Sequence, residues 1–117
     1  MNIILLDKQQ HDRQRFDCKN QVLNQYLSQI ASQQAQKDNA RTYTLTDPAN
    51  STWIMGFYTL TLTTLDLSVL PLQLQKKHAS VNSAGLIARL AVDHRYQKQG
   101  LGAILLLDAL HRLYQAS

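Results

Sequence analysis

Runs of apolar and β-branched residues in the first half of the chain predict three strands. The short run at residues 2–6 predicts the first. Residues 41–46 and 53–64, rich in Thr and aromatic side chains, predict a hairpin, because Asp47-Pro48-Ala49-Asn50 between them is typical of a turn. Gly56, inside the second hairpin strand, indicates a bulge or a close approach of another backbone. Residues 59–63, at the end of this hairpin, alternate Thr with Leu, which predicts one buried and one polar face.

The second half of the chain predicts a strand, a polar turn and a long helix. Residues 86–92 are mostly apolar and predict a buried strand, and residues 93–99 form the polar turn. A Leu-rich run with helical spacing then extends from Leu101 to about Ala116.

A first helix is predicted after residues 16–18. Asn20 or Asp17 suits its N-cap, because either side chain can accept a hydrogen bond from a free N–H of the first turn. Its apolar stripe recurs at three- and four-residue spacing and consists of Val22, Leu23, Tyr26, Leu27, Ile30 and Ala31. Cys18 is not expected to act as a nucleophile, because no histidine lies at a local spacing that would activate it.

The final helix has little polar surface. Its polar side chains share one narrow stripe, formed by Asp108, His111, Arg112 and Gln115. Its apolar stripe is wide and contains Ala103, Leu106, Leu107, Leu110, Leu113 and Tyr114, extended by Ile104 and Leu105. Such a helix needs cover on more than one side, so we expect pairing with another chain, most simply in a homodimer.

Polar segments connect these elements. Residues 7–15 predict a charged loop in which His11 is solvated. Pro71 suits the first turn of a short helix within residues 65–74. The adjacent Lys76, Lys77 and His78 predict a solvated loop, with a basic rim beside a substrate entrance as the alternative.

The strand, turn and helix of residues 86–113 are typical of a phosphate-binding site. The first N–H groups of a helix have no internal partner, and the helix dipole places partial positive charge there. Gly100 and Gly102 let the backbone approach a phosphate, since no Cβ stands in between. The alternative is a β-turn-α unit whose glycines only permit close packing.

The residues of this turn resemble those of the GNAT acetyltransferases. Gln97-Lys98-Gln99-Gly100-Leu101-Gly102 fits the family's Q/R-x-x-G-x-G/A signature for acetyl-coenzyme A. The preceding Ala88-Arg89-Leu90-Ala91-Val92-Asp93 is similar to the branch that serves as toxins in bacterial type II toxin–antitoxin modules, as are residues 16–27 and 55–60. The resemblance covers roughly residues 16–116. It implies an α/β, GNAT-like mixed sheet flanked by helices, in a single domain over residues 1–117.

The same resemblance implies acetyl-coenzyme A as the cofactor. Turn N–H groups would hold its pyrophosphate, and the end of the strand would pair with its pantetheine amides. The implied cofactor-binding residues are Leu90, Ala91, Val92, Gln97, Lys98, Gln99, Gly100, Leu101, Gly102 and Ala103. An N–H at Leu90 or Val92 would polarise the thioester carbonyl and so lower the barrier for attack by an amine.

The sequence departs from the family pattern after the final helix. Family members continue with a fifth strand, another helix and a hairpin, which supply the second cleft wall and the tyrosine usually assigned as general acid. Neither Tyr96 nor Tyr114 matches that tyrosine. The expectation is therefore a GNAT domain truncated after the helix, with no assigned catalytic residue and little or no acetyl transfer by residues 1–117 alone.

The resemblance implies an N-acetyltransferase that acts on a primary amine. The toxin branch points to the amino group of aminoacyl-tRNA and to a ribbon-helix-helix antitoxin as partner. The alternatives are a small amine or protein lysine as acceptor, or a catalytically incompetent module that binds coenzyme A or protein. Arg95 and Lys98 are expected to flank the cofactor phosphate or solvent rather than an acceptor RNA. For Arg89 the sequence does not decide between these two settings.

Composition is compatible with this function and narrows the setting. The net charge of +4 permits an anionic partner such as a phosphorylated cofactor or RNA. A single cysteine excludes an intrachain disulfide and fits the reducing cytoplasm. No apolar run is long enough for a signal peptide or membrane span, and the four histidines show no metal-ligand spacing, so neither a membrane nor a metal is expected.

Overall fold

Antiparallel strands form the sheet at the centre of the fold. The computed structural model describes residues 2–33, 40–64 and 83–116, so the predictions for Pro71 and for Lys76, Lys77 and His78 lie outside the described residues. The strands are β1 (Ile3–Leu5), β2 (Ala40–Asp47), β3 (Asn50–Thr64) and β4 (Ser83–Val92). They lie in the order β1-β2-β3-β4, and each described pair is antiparallel, which confirms the predicted strands and hairpin.

Helices cover both faces of this sheet. Helix α1 (Gln21–Gln25) continues into a π-helical turn, Tyr26–Ile30, and helix α2 spans Leu101–Ala116. The α1 side buries Phe16, Tyr26, Leu27, Ala31, Ile54, Phe57 and Ala91. The α2 side buries Leu45, Met55, Tyr58, Leu60, Leu101, Leu105 and Ala109. The sheet therefore lies between two hydrophobic cores, one on each face.

The first helix begins as predicted but is less regular than its pattern suggests. The Asn20 side chain caps it by accepting a hydrogen bond from the Leu23 N–H at 3.2 Å. The Ala31 N–H donates to the Tyr26 carbonyl, a five-residue spacing that keeps these two residues on one buried face. Val22 and Ile30, which the sequence places in the apolar stripe, do not lie on this buried face. Both side chains are exposed to solvent.

Residues 54–60 of strand β3 are buried, and these include Thr59 on the face that the sequence predicts to be polar. Thr59 is fully buried, and its Oγ1 lies 2.8 Å from Thr42 Oγ1 on β2. Because helices cover both sides of the sheet, these hydroxyls satisfy each other across the strands instead of binding water.

His11 is buried, so the prediction of a solvated loop histidine was wrong. Residues 7–15 turn back onto the sheet, where the Asp12 N–H donates to the Thr52 carbonyl at 2.7 Å. The Asp7 N–H donates to His11 Nδ1 at 2.9 Å. Burial lowers the pKa of His11, and the charge of Asp7 offsets only part of this shift.

Gly56 allows α2 to approach β3, as the sequence predicted. A Cβ at this position would lie 2.7 Å from Leu105 Cδ1 and 3.0 Å from the Ala91 carbonyl oxygen. The pairing of β2 with β3 also shifts register beside Gly56, between Leu45 and Thr46. The glycine therefore marks both a bulge and a close contact.

Helix α2 presents a different face to the sheet from the one its leucines predict. Leu101, Leu105 and Ala109 are buried, whereas much of the predicted apolar stripe is exposed. The large hydrophobic residues of α2 that are exposed are Ile104, Leu106, Leu107, Leu110 and Tyr114. The expectation that this helix needs a second cover is consistent with that exposure.

Part of the polar stripe of α2 faces the sheet and fixes the helix there. The Tyr58 hydroxyl donates to Asp108 Oδ2, and Arg112 Nε donates to the Tyr58 oxygen at 2.8 Å and to Asp108 at 2.9 Å. Arg112 Nη2 also donates to the Ile3 carbonyl at 3.0 Å. Burial, followed by the hydrogen bond to Asp108, raises the pKa of Tyr58, so the phenol stays protonated as the donor.

We predict that Gly56→Ala lowers the free energy of unfolding by about 1–3 kcal/mol, because the new methyl group overpacks the contact with Leu105 and the Ala91 carbonyl. Urea denaturation measures the change. Gly102→Ala is the matched control, since a Cβ there meets no atom within 4 Å. Equal stability of the two variants would contradict the close approach.

Candidate functional site

The end of β4 lies at one edge of the sheet that the described strands form. Among the described strands, β4 has a neighbour only on the β3 side. The Asp93 N–H donates to the Met55 carbonyl at 2.8 Å, so alternate residues of β4 face β3. By this alternation, the N–H and C=O groups of Leu90 and Val92 point to the open edge.

The turn after β4 is held by the buried carboxylate of Asp93. This carboxylate accepts hydrogen bonds from the Asp17 N–H at 2.9 Å and the Arg95 N–H at 2.8 Å. The Arg95 guanidinium also pairs with it at 2.8 Å. Arg95 therefore forms a structural ion pair, and its side chain is also exposed to solvent, as one of the two predicted settings requires.

These contacts also determine the charge state of Asp93. Burial alone would raise the pKa of this carboxyl, but the hydrogen bonds from Arg95 and from the Asp17 N–H outweigh burial and hold the pKa below its usual value. The His94 N–H returns a hydrogen bond to the Asp17 carbonyl at 2.8 Å. The turn is thus joined on both sides to the segment that leads into α1.

A glycine-containing turn then opens α2. The Gln97 side chain donates to the Val92 carbonyl at 3.1 Å, which closes the turn onto the strand end. Lys98 and Gly100 have positive φ angles of 65° and 79°, a backbone conformation that suits glycine at position 100. Gly102 faces open space, with no atom within 4 Å of the place a Cβ would occupy. The first turn of α2 therefore exposes N–H groups that a ligand can reach.

The structure brings all ten predicted cofactor-binding residues into one region, which runs from the end of β4 to the first turn of α2. Lys98, Gln99, Gly100 and Ala103 are exposed, whereas the Leu101 side chain is buried in the core and leaves only its backbone available. Their role in binding acetyl-CoA stays a prediction. Among the described residues, no group of His, Cys, Asp or Glu is placed to hold a metal ion.

Two neighbours of this region were not predicted from the sequence. The Tyr96 hydroxyl donates to Asp47 Oδ2 at 2.8 Å, which ties the turn to the β2–β3 hairpin. Arg89 lies over the ring of Tyr26, with its Cζ 3.8 Å from the ring centroid. Both contacts join residues far apart in the chain, so no local spacing could have revealed them.

We predict that Asp93→Asn lowers the free energy of unfolding at neutral pH by about 3 kcal/mol, because an amide cannot accept all of these hydrogen bonds or neutralise Arg95. The pKa of Asp93 is lower in the fold than in the unfolded chain. Its charge therefore stabilises the fold above about pH 4, and this contribution is lost as the pH falls further, through the folded pKa.

Urea denaturation between pH 7 and pH 2 tests both statements about Asp93. The variant should lose less stability than the wild type on acidification. Asp12→Asn, at an exposed aspartate, serves as the control and should change stability by no more than about 0.5 kcal/mol. An Asp93→Asn protein as stable as the wild type at pH 7 would show that the carboxylate does not hold the turn.

Comparison with known proteins identifies relatives of this arrangement. No family model matches the chain. The probable toxin TacT of Sinorhizobium fredii (strain NBRC 101917 / NGR234) is 30% identical over 111 residues, which make up 92% of this chain and 60% of TacT. The chain therefore spans about three-fifths of the length of this relative.

Among the described residues, no helix is long and apolar enough to cross a membrane.

Solved structures show the same fold. AtaT complexed with acetyl-methionyl-tRNAfMet is 28% identical, with a TM-score of 0.76 over 99% of this chain and 70% of AtaT. A mutant AtaT toxin bound to acetyl-CoA and to the C-terminus of the antitoxin AtaR is 29% identical, with a TM-score of 0.76 over 99% of this chain and 67% of that one. In sequence and in fold, the chain is thus similar over almost its whole length to the GNAT toxins of toxin–antitoxin modules.

Proposed function

We propose that this protein acts as an N-acetyltransferase, which moves acetyl from acetyl-CoA to the amino group of an aminoacyl-tRNA in the cytoplasm. The observation that carries the proposal is the open edge of β4, which leads directly into the glycine turn of α2. The relatives support it, because AtaT has been solved with acetyl-CoA and with an acetylated aminoacyl-tRNA. An antitoxin of the ribbon-helix-helix class is the proposed protein partner.

The chain's own groups suit the cofactor. The N–H groups of residues 98–103 would hold the pyrophosphate, because the first turn of α2 is open and Gly102 leaves room beside it. The outward N–H and C=O groups of Leu90 and the outward N–H of Val92 would pair with the amides of the pantetheine arm, as a neighbouring strand would, whereas the Val92 carbonyl already accepts from Gln97. When bound, acetyl-CoA supplies a thioester whose carbonyl carbon accepts the amine.

The backbone of β4 would assist this reaction in two ways. An outward N–H at Leu90 or Val92 would donate to the thioester oxygen as negative charge develops there. The rigid strand would also fix the direction from which the amine approaches, which converts a bimolecular encounter into a positioned one. We assign no side chain as general acid or base.

We predict that the chain binds acetyl-CoA and that Gly102→Val weakens this binding at least about tenfold, because the new side chain fills the space left for phosphate. Calorimetry measures the affinity. Gly102→Val is a better probe than Gly100→Val, since the positive φ of Gly100 would strain any other residue. Gln115→Val, on an exposed position near the other end of α2, is the control and should bind normally.

Acetyl transfer tests the proposed function itself. With the chain in excess over labelled acetyl-CoA and aminoacyl-tRNA, we expect label on the amino acid at a slow rate, below about 1 per second, and none with Gly102→Val. Binding of acetyl-CoA without any transfer would instead identify a binding module. Equal affinity of the wild type and Gly102→Val would reject the site.

We also propose that the exposed face of α2 is covered by a second copy of this chain. The face contains Leu106, Leu107 and Leu110, and it lies on the helix that follows the open edge of β4. An apolar helix face of this kind can pack against its own copy across a two-fold axis, which leaves the edge of β4 to the cofactor. Burial of this apolar surface favours association by roughly 25 cal/mol per Å².

For this proposal we predict that Leu107→Glu turns a dimer into a folded monomer, because Leu107 is 67% exposed and contributes little to the core. Light scattering coupled to size exclusion measures the mass, and circular dichroism checks the fold. Gln115→Glu adds the same charge at an exposed polar position and should stay dimeric. A wild-type chain that stays monomeric at high concentration would refute the dimer.

A further inference from the structure

Arg89 is a half-buried cation with no acidic or hydrogen-bonding partner among the residues that the structure describes. The Cζ of its guanidinium lies over the ring of Tyr26, 3.8 Å from the ring centroid. Tyr26 is only 1% exposed, so this ring is a fixed part of the core. By contrast, Arg95 and Arg112 each pair with an aspartate.

A guanidinium restrained in this way can donate hydrogen bonds to a ligand. Arginine stays charged at any physiological pH and carries its N–H donors in a rigid plane. Contact with the aromatic ring restrains this group, and its N–H donors have no hydrogen-bond partner among the described residues, so they stay available. Phosphate and carboxylate oxygens match this geometry, because they can accept two parallel hydrogen bonds.

The position of Arg89 places these donors beside the reacting centre of the proposed enzyme. With the pyrophosphate at residues 98–103, the pantetheine arm runs back along β4 from Val92 towards Leu90. Arg89 is the next residue along that path, so it lies at the thioester end. Its side chain is on the α1 face of the sheet, whereas α2 covers the other face. An acceptor that approaches from the α1 side would meet the guanidinium.

We infer that Arg89 binds a phosphodiester of the acceptor and thereby selects an aminoacylated RNA over a free amine. This inference rests on the proposed function. In an aminoacyl-tRNA the reacting amine belongs to an amino acid esterified to the terminal ribose, and a phosphodiester joins that ribose to the preceding nucleotide. A small amine or a protein lysine carries no such phosphate. Arg89 is thus a specificity residue rather than an acid or a base.

Salt dependence of binding distinguishes a phosphate contact from a structural role. The probe is an RNA that copies the acceptor end of a tRNA, with the amino acid joined by a stable amide bond, and coenzyme A is present throughout. We expect Arg89→Gln to weaken binding of this RNA about tenfold and to reduce the slope of log affinity against log salt by about 0.7, the value for one phosphate of a single strand. Arg89→Lys should retain most of the slope, because it keeps the charge.

Two controls accompany these variants. Arg41→Gln removes the same charge from an exposed arginine of β2, two strands away from β4, and should leave the salt slope unchanged. The amide of the same amino acid without RNA should bind equally to the wild type and to Arg89→Gln. The affinity for coenzyme A should also be equal, which shows that the cofactor site is intact.

The possible results separate this inference from the proposed function. An RNA affinity and salt slope that do not change in Arg89→Gln would overturn the role of Arg89 and leave the proposed function standing. A parallel loss of coenzyme A affinity, or of affinity for the amino acid amide, would also overturn it, because Arg89 would then support the fold or contact the aminoacyl group. A wild-type chain that binds coenzyme A but not the RNA would refute the proposed acceptor and this inference together.

Discussion

The buried carboxylate of Asp93 is the contact on which the candidate site depends. It gathers the Asp17 N–H, the Arg95 N–H and the Arg95 guanidinium at the point where β4 ends. A buried carboxylate is stable only with such partners, so the turn and the segment before α1 must come together for either to fold. This constraint fixes the direction in which the chain leaves β4, and therefore where the first turn of α2 exposes its N–H groups.

The sheet separates two tasks that the proposed reaction requires. On one face, the missing side chain of Gly56 lets Leu105 approach β3, and the Tyr58–Asp108–Arg112 hydrogen bonds hold the rest of α2 in place. This face positions the turn proposed for the cofactor phosphates. On the other face, Tyr26 holds Arg89 beside the same strand. In the proposed reaction, cofactor and acceptor would thus meet at the edge of β4 from opposite sides.

Features that depend on residues close in sequence could be predicted, and features that depend on distant contacts could not. The strands, the Asn20 cap, the close approach at Gly56 and the full extent of α2 follow from periodicity and turn chemistry. The burial of His11 and Thr59 could not be predicted, because each is covered by elements far away in the chain. The pattern of apolar residues also predicted the wrong buried face for α2, because Asp108 and Arg112 approach the sheet through hydrogen bonds to Tyr58.

Amide chemical shifts of the isotopically labelled chain, recorded as acetyl-CoA is added, test the central claim most directly. If the open edge of β4 and the start of α2 form the cofactor site, the largest changes will fall on Leu90, Val92 and residues 98–103. Dephosphorylated pantetheine, which lacks the pyrophosphate, should then shift Leu90 and Val92 but not the turn. Shifts centred elsewhere on the chain, or no shifts at saturating acetyl-CoA, would contradict the account.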